Sequence, residues 1–117
     1  MTIPPDEQKA LRQSLMERLA ALRDLQDSTA ESRKPVELDQ TSVGRLSRVD
    51  AMQRQAMALE VERRRGQEKL RIEAALQRMD AGDFGYCVVC GEEIARGRLD
   101  VDPTAPTCIR CASEATR

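Results

Sequence analysis

Between Leu11 and Leu25 the chain carries a single apolar stripe. Leu11, Leu15, Leu19, Leu22 and Leu25, with Met16 beside Leu15, stand three or four positions apart in an otherwise polar run. That spacing lines one face of an α-helix. Residues 1–5 read as a short lead-in, and Pro5 followed by Asp6 and Glu7 makes a favourable first turn, with acids at the positive end of the helix dipole. The pattern fades after Ala30, and Pro35 closes or kinks the helix.

Residues 35–44 (PVELDQTSVG) read as a turn in which Thr41 or Ser42 can cap the next helix. That helix is expected from about Val43 to Met79, with a seam of Val49, Met52, Ala56, Leu59, Gly66, Leu70, Leu76 and Met79 interrupted at Arg63. Asp80-Ala81-Gly82-Asp83 then ends it in a glycine stop. At ~1.5 Å per residue it is on the order of 55 Å long. Two such helices joined by a polar turn predict an antiparallel coiled-coil hairpin over residues 1–80, with its tip near 35–48. Folding about residue 40 sets Leu22 near Ala56, Leu11 near Leu70, and Gly66 toward Leu15. There Gly66 either admits a bulky partner or is a tolerated defect costing ~1 kcal/mol. Both stripes are narrow, so the hairpin needs its base fastened.

The fastening is legible in Cys87-Val88-Val89-Cys90 and Cys108-Ile109-Arg110-Cys111, two C-x-x-C knuckles separated by seventeen residues. Each knuckle presents two thiolates to one metal, and the second pair completes a tetrahedron. Gly91 directly follows the first knuckle, where the backbone turning beneath the sulfurs calls for positive φ. One structural zinc on Cys87, Cys90, Cys108 and Cys111 is the reading, within a module at 81–117 that ends in a short helix. A redox pair fits poorly with two matched knuckles, while rubredoxin-like iron remains chemically allowed. Four thiolates leave no open coordination position and the chain has no histidine, which argues against catalytic zinc. Phe84 and Tyr86, the only aromatic residues, are expected to pack a miniature core beside the metal.

Composition supports a rod rather than a broad globule: 33 % of residues are charged and 2 % aromatic. The net charge of −1 offers no global attraction to nucleic acid or an anionic membrane. No apolar run is long enough to span a bilayer and no charged-then-apolar signal segment opens the sequence, so a soluble cytoplasmic protein is expected. No nucleophile with a base, phosphate loop or open metal site is present, so an enzyme is not expected.

The segment Asp83-Phe84-Gly85-Tyr86-Cys87-x-x-Cys90-Gly91-x-Glu93-Ile94, continued by Arg98-Leu99, Pro103-Thr104-Ala105 and Cys108-Ile109-x-Cys111, resembles the DksA/TraR (DnaK-suppressor) zinc-finger family. The motif similarity is dense over residues 83–111, and over 6–80 it is architectural. The resemblance implies a bacterial or phage-type transcription regulator that binds RNA polymerase directly rather than promoter DNA, with the coiled coil entering the secondary channel and the finger and terminal helix docking on its outer rim. It further implies acidic residues at the tip that act near the catalytic centre, often together with guanosine tetraphosphate.

Residue by residue, the four cysteines match and the tip departs. An ungapped alignment from the cysteines puts Gly44 and Ser47, then Arg48 and Val49, where the family has two aspartates followed by Arg-Ala. Asp39 or Asp50 could supply an acid only if the turn is shifted. Of the basic positions that long members use for the alarmone, Arg64, Arg71 and Arg98 are basic, whereas Asp102 and Ala112 are not. Synergy with guanosine tetraphosphate is therefore not expected. Asp39, Arg45, Ser47 and Arg48 are the candidate polymerase contacts. Arg63, Arg64 and Arg65 form a basic run able to meet acidic surface, or simply a solvated face. Two other classes fit parts of the pattern. One is a zinc-dependent nucleic-acid module, against which stand Glu92, Glu93, Asp100 and Asp102 in the finger. The other is a coiled-coil adaptor, although a monomer is expected.

Overall fold

The computed structural model describes residues 3–28 and 45–115. They form α1 (Pro5–Ser28), α2 (Arg45–Ala81), α3 (Arg96–Val101) and α4 (Ile109–Ala115). Among the described residues there is no strand, only an isolated antiparallel bridge between Tyr86 and Glu93. The fold is mainly α, as expected: two long antiparallel helices, then a four-cysteine module ending in a short helix. No described helix is long and apolar enough to cross a membrane. The expected turn, including Pro35, Asp39, Thr41, Ser42 and Gly44, lies outside the described residues. The chain divides into two compact units, Met1–Leu19 with Lys69–Arg117, and Ala20–Glu68.

In the first unit the opening turn of α1 is tied by Gln8, whose backbone N–H donates to the Pro4 carbonyl (3.0 Å) and whose Nε2 donates to the Ile3 carbonyl (3.0 Å). Leu15 and Leu19 on α1 and Ile72 and Ala75 on α2 are buried. Each large apolar side chain among them contributes about 1.5–3 kcal/mol. Arg12 pairs with Asp80 across the helices. The glycine stop is present as a Schellman motif: Gly82 has φ 80°, its N–H donates to Met79 O (3.2 Å), and Asp83 N–H donates to Arg78 O (2.8 Å).

In the second unit Leu22 is fully buried, and a β-carbon added at Gly66 would meet only Gln26 Nε2, at 4.0 Å. Glu60 accepts from Arg63 (2.9 and 2.7 Å) and Arg64 (3.2 Å). Two of the three arginines in the basic run are thus engaged by a carboxylate one turn away.

Two expectations about the seam are corrected. Arg12 faces Asp80 and Gln26 faces Gly66, so the register differs from the predicted pairs Leu11–Leu70 and Leu22–Ala56 by roughly three to four helical turns. Gly66 accordingly meets Gln26, not the Leu15 region. On α2, Leu70 is 66 % exposed while Ile72 is 1 % exposed. Val49, Met52 and Leu59, expected in the seam, are also exposed. The α1 stripe was unambiguous because its background is polar. On α2 apolar residues occur on several faces, exposed ones among them.

Candidate metal centre

The first knuckle is built on short backbone hydrogen bonds. After the Gly82 stop the chain turns through Phe84, which is buried, into Gly85, whose φ of 92° no β-carbon would tolerate readily. A narrow loop follows: Ile94 N–H donates to Gly85 O (2.8 Å) and Cys87 N–H to Glu92 O (2.8 Å), flanking the Tyr86–Glu93 bridge. Within it the first knuckle closes as Gly91 N–H donates to Cys87 O (2.9 Å), with Gly91 at φ 78°. The positive φ expected at Gly91 is thus present.

The second knuckle is delivered by the loop after α3. Asp102 Oδ1 accepts from the Thr104 N–H (3.0 Å) and hydroxyl (2.6 Å), Arg98 Nε donates to Thr107 O (2.8 Å), and Val88 N–H donates to Pro106 O (2.9 Å). This last bond joins the two knuckle loops directly. Cys108 O accepts from Ala112 N–H (3.0 Å), so the second knuckle runs into α4 and Cys111 lies in its first turn. Asp102, which stands where the resemblance leads one to expect a base, serves here as the anchor of this loop.

The four sulfurs converge. All lie within 4.8 Å of one another, with Cys90 Sγ and Cys108 Sγ 3.8 Å apart. A tetrahedral ion with Zn–S bonds of about 2.3 Å needs sulfurs about 3.8 Å apart, whereas a disulfide needs about 2.05 Å. None of the four cysteines is in a disulfide. Cys87 and Cys111 are buried and Cys90 and Cys108 half-buried. Without metal, the backbone N–H of Cys90 and its neighbours holds the Cys87 thiol down at about 6. Hydrogen bonding with Cys108, together with burial, pushes Cys111 up to about 12. A tetrathiolate zinc centre carries a net charge of −2, and Arg110 stands next to it, its own pKa raised by Cys111 and then by Glu92. The donor set and its spacing therefore fit a closed structural metal site.

The core beneath the sulfurs consists of Ile3, Phe84, Cys87, Ile94, Leu99 and Cys111, with Leu11 and Met79 packed against it. Phe84 takes its expected place. Tyr86 does not: it is half-buried and lines an open cleft of about 580 Å³ with Arg78, Asp83, Cys87, Val88 and Gly91. Tyr86 is not part of the buried cluster. Sequence reasoning missed Ile3 and α3, and it took Ile94 and Leu99 as motif positions without assigning them to the core. Ile94 and Leu99 were visible as isolated apolar positions in a charged stretch. Ile3 offered no signal, because it lies far from the cysteines in sequence.

Of the tip candidates, Asp39 lies outside the described residues. Arg45, Ser47 and Arg48 fall at the start of α2. Arg48 is half-buried, and its shielded Nε has no hydrogen-bond acceptor among the described residues.

Two long antiparallel helices and a closed four-cysteine knuckle pair define a helical-hairpin protein with a C4 zinc finger, and its cofactor is one structural zinc ion. Residues 82–117 match the prokaryotic dksA/traR C4-type zinc finger, so this module is a finger of that type. It is 48 % identical over 63 residues to the RNA polymerase-binding transcription factor DksA of Haemophilus influenzae, and 43 % identical over 63 residues to that of Escherichia coli. The aligned stretch is 52 % of this chain but only 43 % and 42 % of those relatives, so the chain covers less than half of their length. The solved structure of transcription factor DksA2 from Pseudomonas aeruginosa is similar in fold (TM-score 0.62, 23 % identity, 95 % of this chain and 78 % of that one).

Proposed function

We propose that this chain is a transcription regulator that binds bacterial RNA polymerase and inserts its helical hairpin into the secondary channel to alter initiation. The observation that carries the reading is the 63-residue likeness to relatives named as RNA polymerase-binding factors. The helix α2, 37 residues and about 55 Å long, gives an element of suitable reach. Cys87, Cys90, Cys108 and Cys111 ligate the zinc, and residues 81–117 act as the finger at the foot of a hairpin formed by 1–80. Asp39, Arg45, Ser47 and Arg48 are the contacts assigned to the tip. The protein acts in the cytoplasm as a monomer without catalysis, without guanosine tetraphosphate and without binding DNA directly.

What the residues do here is hold geometry. The zinc supplies four bonds that fix two distant stretches of chain, and binding of this kind is folding free energy, about 10–16 kcal/mol in small zinc peptides. Arg98 and Asp102 fix the loop that brings Cys108 and Cys111 to the first knuckle. The test is a pull-down with purified bacterial RNA polymerase and a transcription assay, using the intact chain, a Cys108→Ser variant and a chain with residues 35–48 replaced by a Gly/Ser turn. Loss of the transcriptional effect with retained binding assigns the tip its effector role. Cys108→Ser should hold less than one zinc and lose polymerase binding. Failure of the intact chain to bind polymerase, or tight DNA binding in a filter assay at physiological salt, would overturn the proposal.

A further inference from the structure

The core of the metal module is completed by a residue from outside it. Ile3 is 5 % exposed and belongs to the same buried cluster as two of the cysteines, Cys87 and Cys111, and as Phe84, Ile94 and Leu99. The seam of α1 starts only at Leu11, so helix pairing does not require Ile3 to be there. Polar contacts hold the segment in place. Glu7 pairs with Arg96 at the start of α3, Gln8 Nε2 donates to Ile3 O (3.0 Å), and Arg12 pairs with Asp80 one helical turn further on. Arg96 is also held by Asp100 (3.2 Å), which fixes the cation that Glu7 meets.

We propose that residues Ile3–Glu7 are a strap that governs retention of the metal, and that the metal in turn holds the strap. Exchange of zinc out of a four-thiolate site needs a competing ligand to approach as each sulfur leaves. An apolar side chain packed into the cluster that contains two of those sulfurs slows both steps. By linkage, whatever free energy the strap adds to metal retention the metal adds to strap docking. Loss of zinc therefore frees the first turns of α1 as well as the knuckles, and the state of the metal is passed to the long helix. This rests on the reading of one zinc on four cysteines.

The test uses the full chain. Zinc content is measured first in the parent and in every variant, and transfer to excess 4-(2-pyridylazo)resorcinol is then followed by absorbance. Ile3→Asp should release zinc about tenfold faster or more, the factor expected from losing a buried isoleucine, and Ile3→Ala several-fold faster. Glu7→Gln should change the rate by no more than about twofold, since the pair is exposed. Leu70→Ala, an exposed position of the same unit, should leave it unchanged. If Ile3→Asp does not fold, Ile3→Ala decides the matter. In hydrogen exchange, the amides of Lys9–Arg12 should lose protection when the zinc is chelated. Release from both Ile3 variants within twofold of the parent, or protection of those amides unaffected by chelation, would overturn the strap. A parent chain with less than one zinc would instead overturn the metal reading beneath it.

Discussion

Replacing Ile72 and Leu70 in parallel separates the observed packing of α2 from the one its leucine pattern suggests. Ile72 is 1 % exposed and shares the buried seam of its unit with Leu15, Leu19 and Ala75, whereas Leu70, two positions earlier, is 66 % exposed. Ile72→Ala removes three buried carbons at about 0.8 kcal/mol each, and the cavity left behind raises the total to about 3–4 kcal/mol. Leu70→Ala removes the same number of carbons from a side chain that already meets water, and should cost less than about 0.5 kcal/mol. A graded variant, Ile72→Val, should fall near 1 kcal/mol. The assay is urea unfolding followed by far-ultraviolet circular dichroism at fixed free zinc, since metal binding contributes to the apparent stability. With an m-value of about 1–2 kcal/mol/M, the midpoint should fall by roughly 2 M for Ile72→Ala and stay nearly fixed for Leu70→Ala. Equal shifts for the two, or a larger one for Leu70→Ala, would refute the assigned register.

Two further measurements follow from single residues. Gly66→Ala should stabilise the protein by about 0.5–1 kcal/mol, because a β-carbon there meets only the flexible end of Gln26 and helix propensity improves; Gly82→Ala should destabilise it by about 1 kcal/mol, because φ there is 80° although space is open. Denaturation midpoints that move in the same direction for both would contradict this account. Glu60 is held down at about 2, first by its hydrogen bond from Arg63, against an ordinary value of 4.5. A depressed folded-state pKa means that the stabilisation is complete above pH 4.5 and is lost as pH falls through about 2. Carboxyl NMR of Glu60 should show this, with Arg63→Gln moving the titration back up; because the pair is exposed, salt should do so in part.

How much of this could be read from the chain depended on contrast. The α1 stripe was readable because five leucines stand in a polar background, and α1 buries Leu15, Leu19 and Leu22 as that stripe demands. The knuckles and the Gly82 stop were readable because thiolate pairing and a positive φ each restrict which residues can serve. The α2 seam was not, because Val49, Met52, Met57, Leu59, Val61 and Leu70 are apolar yet exposed, and periodicity alone cannot choose among several apolar faces. Alanine was the weakest signal: Ala75 is completely buried, but a small residue on a long helix looks the same on every face.

The register error and the missed Ile3 have one cause. Choosing the turn near residue 40 as the centre of the fold treats the hairpin as aligned from its tip. The contacts that fix the alignment are at the other end, where Arg12 meets Asp80, Leu11 and Met79 pack against the metal core, and Ile3 lies within it. A long two-helix seam with few large side chains can slide by whole turns at little cost, since each turn exchanges one modest apolar contact for another. A metal core cannot slide, because its four sulfurs, which lie within 4.8 Å of one another, have to meet one ion. The module therefore sets the register of the helices that lead into it. A change at the core, at Ile3 or at a cysteine, should consequently disturb α1 and α2 more than an equally large change at Leu70.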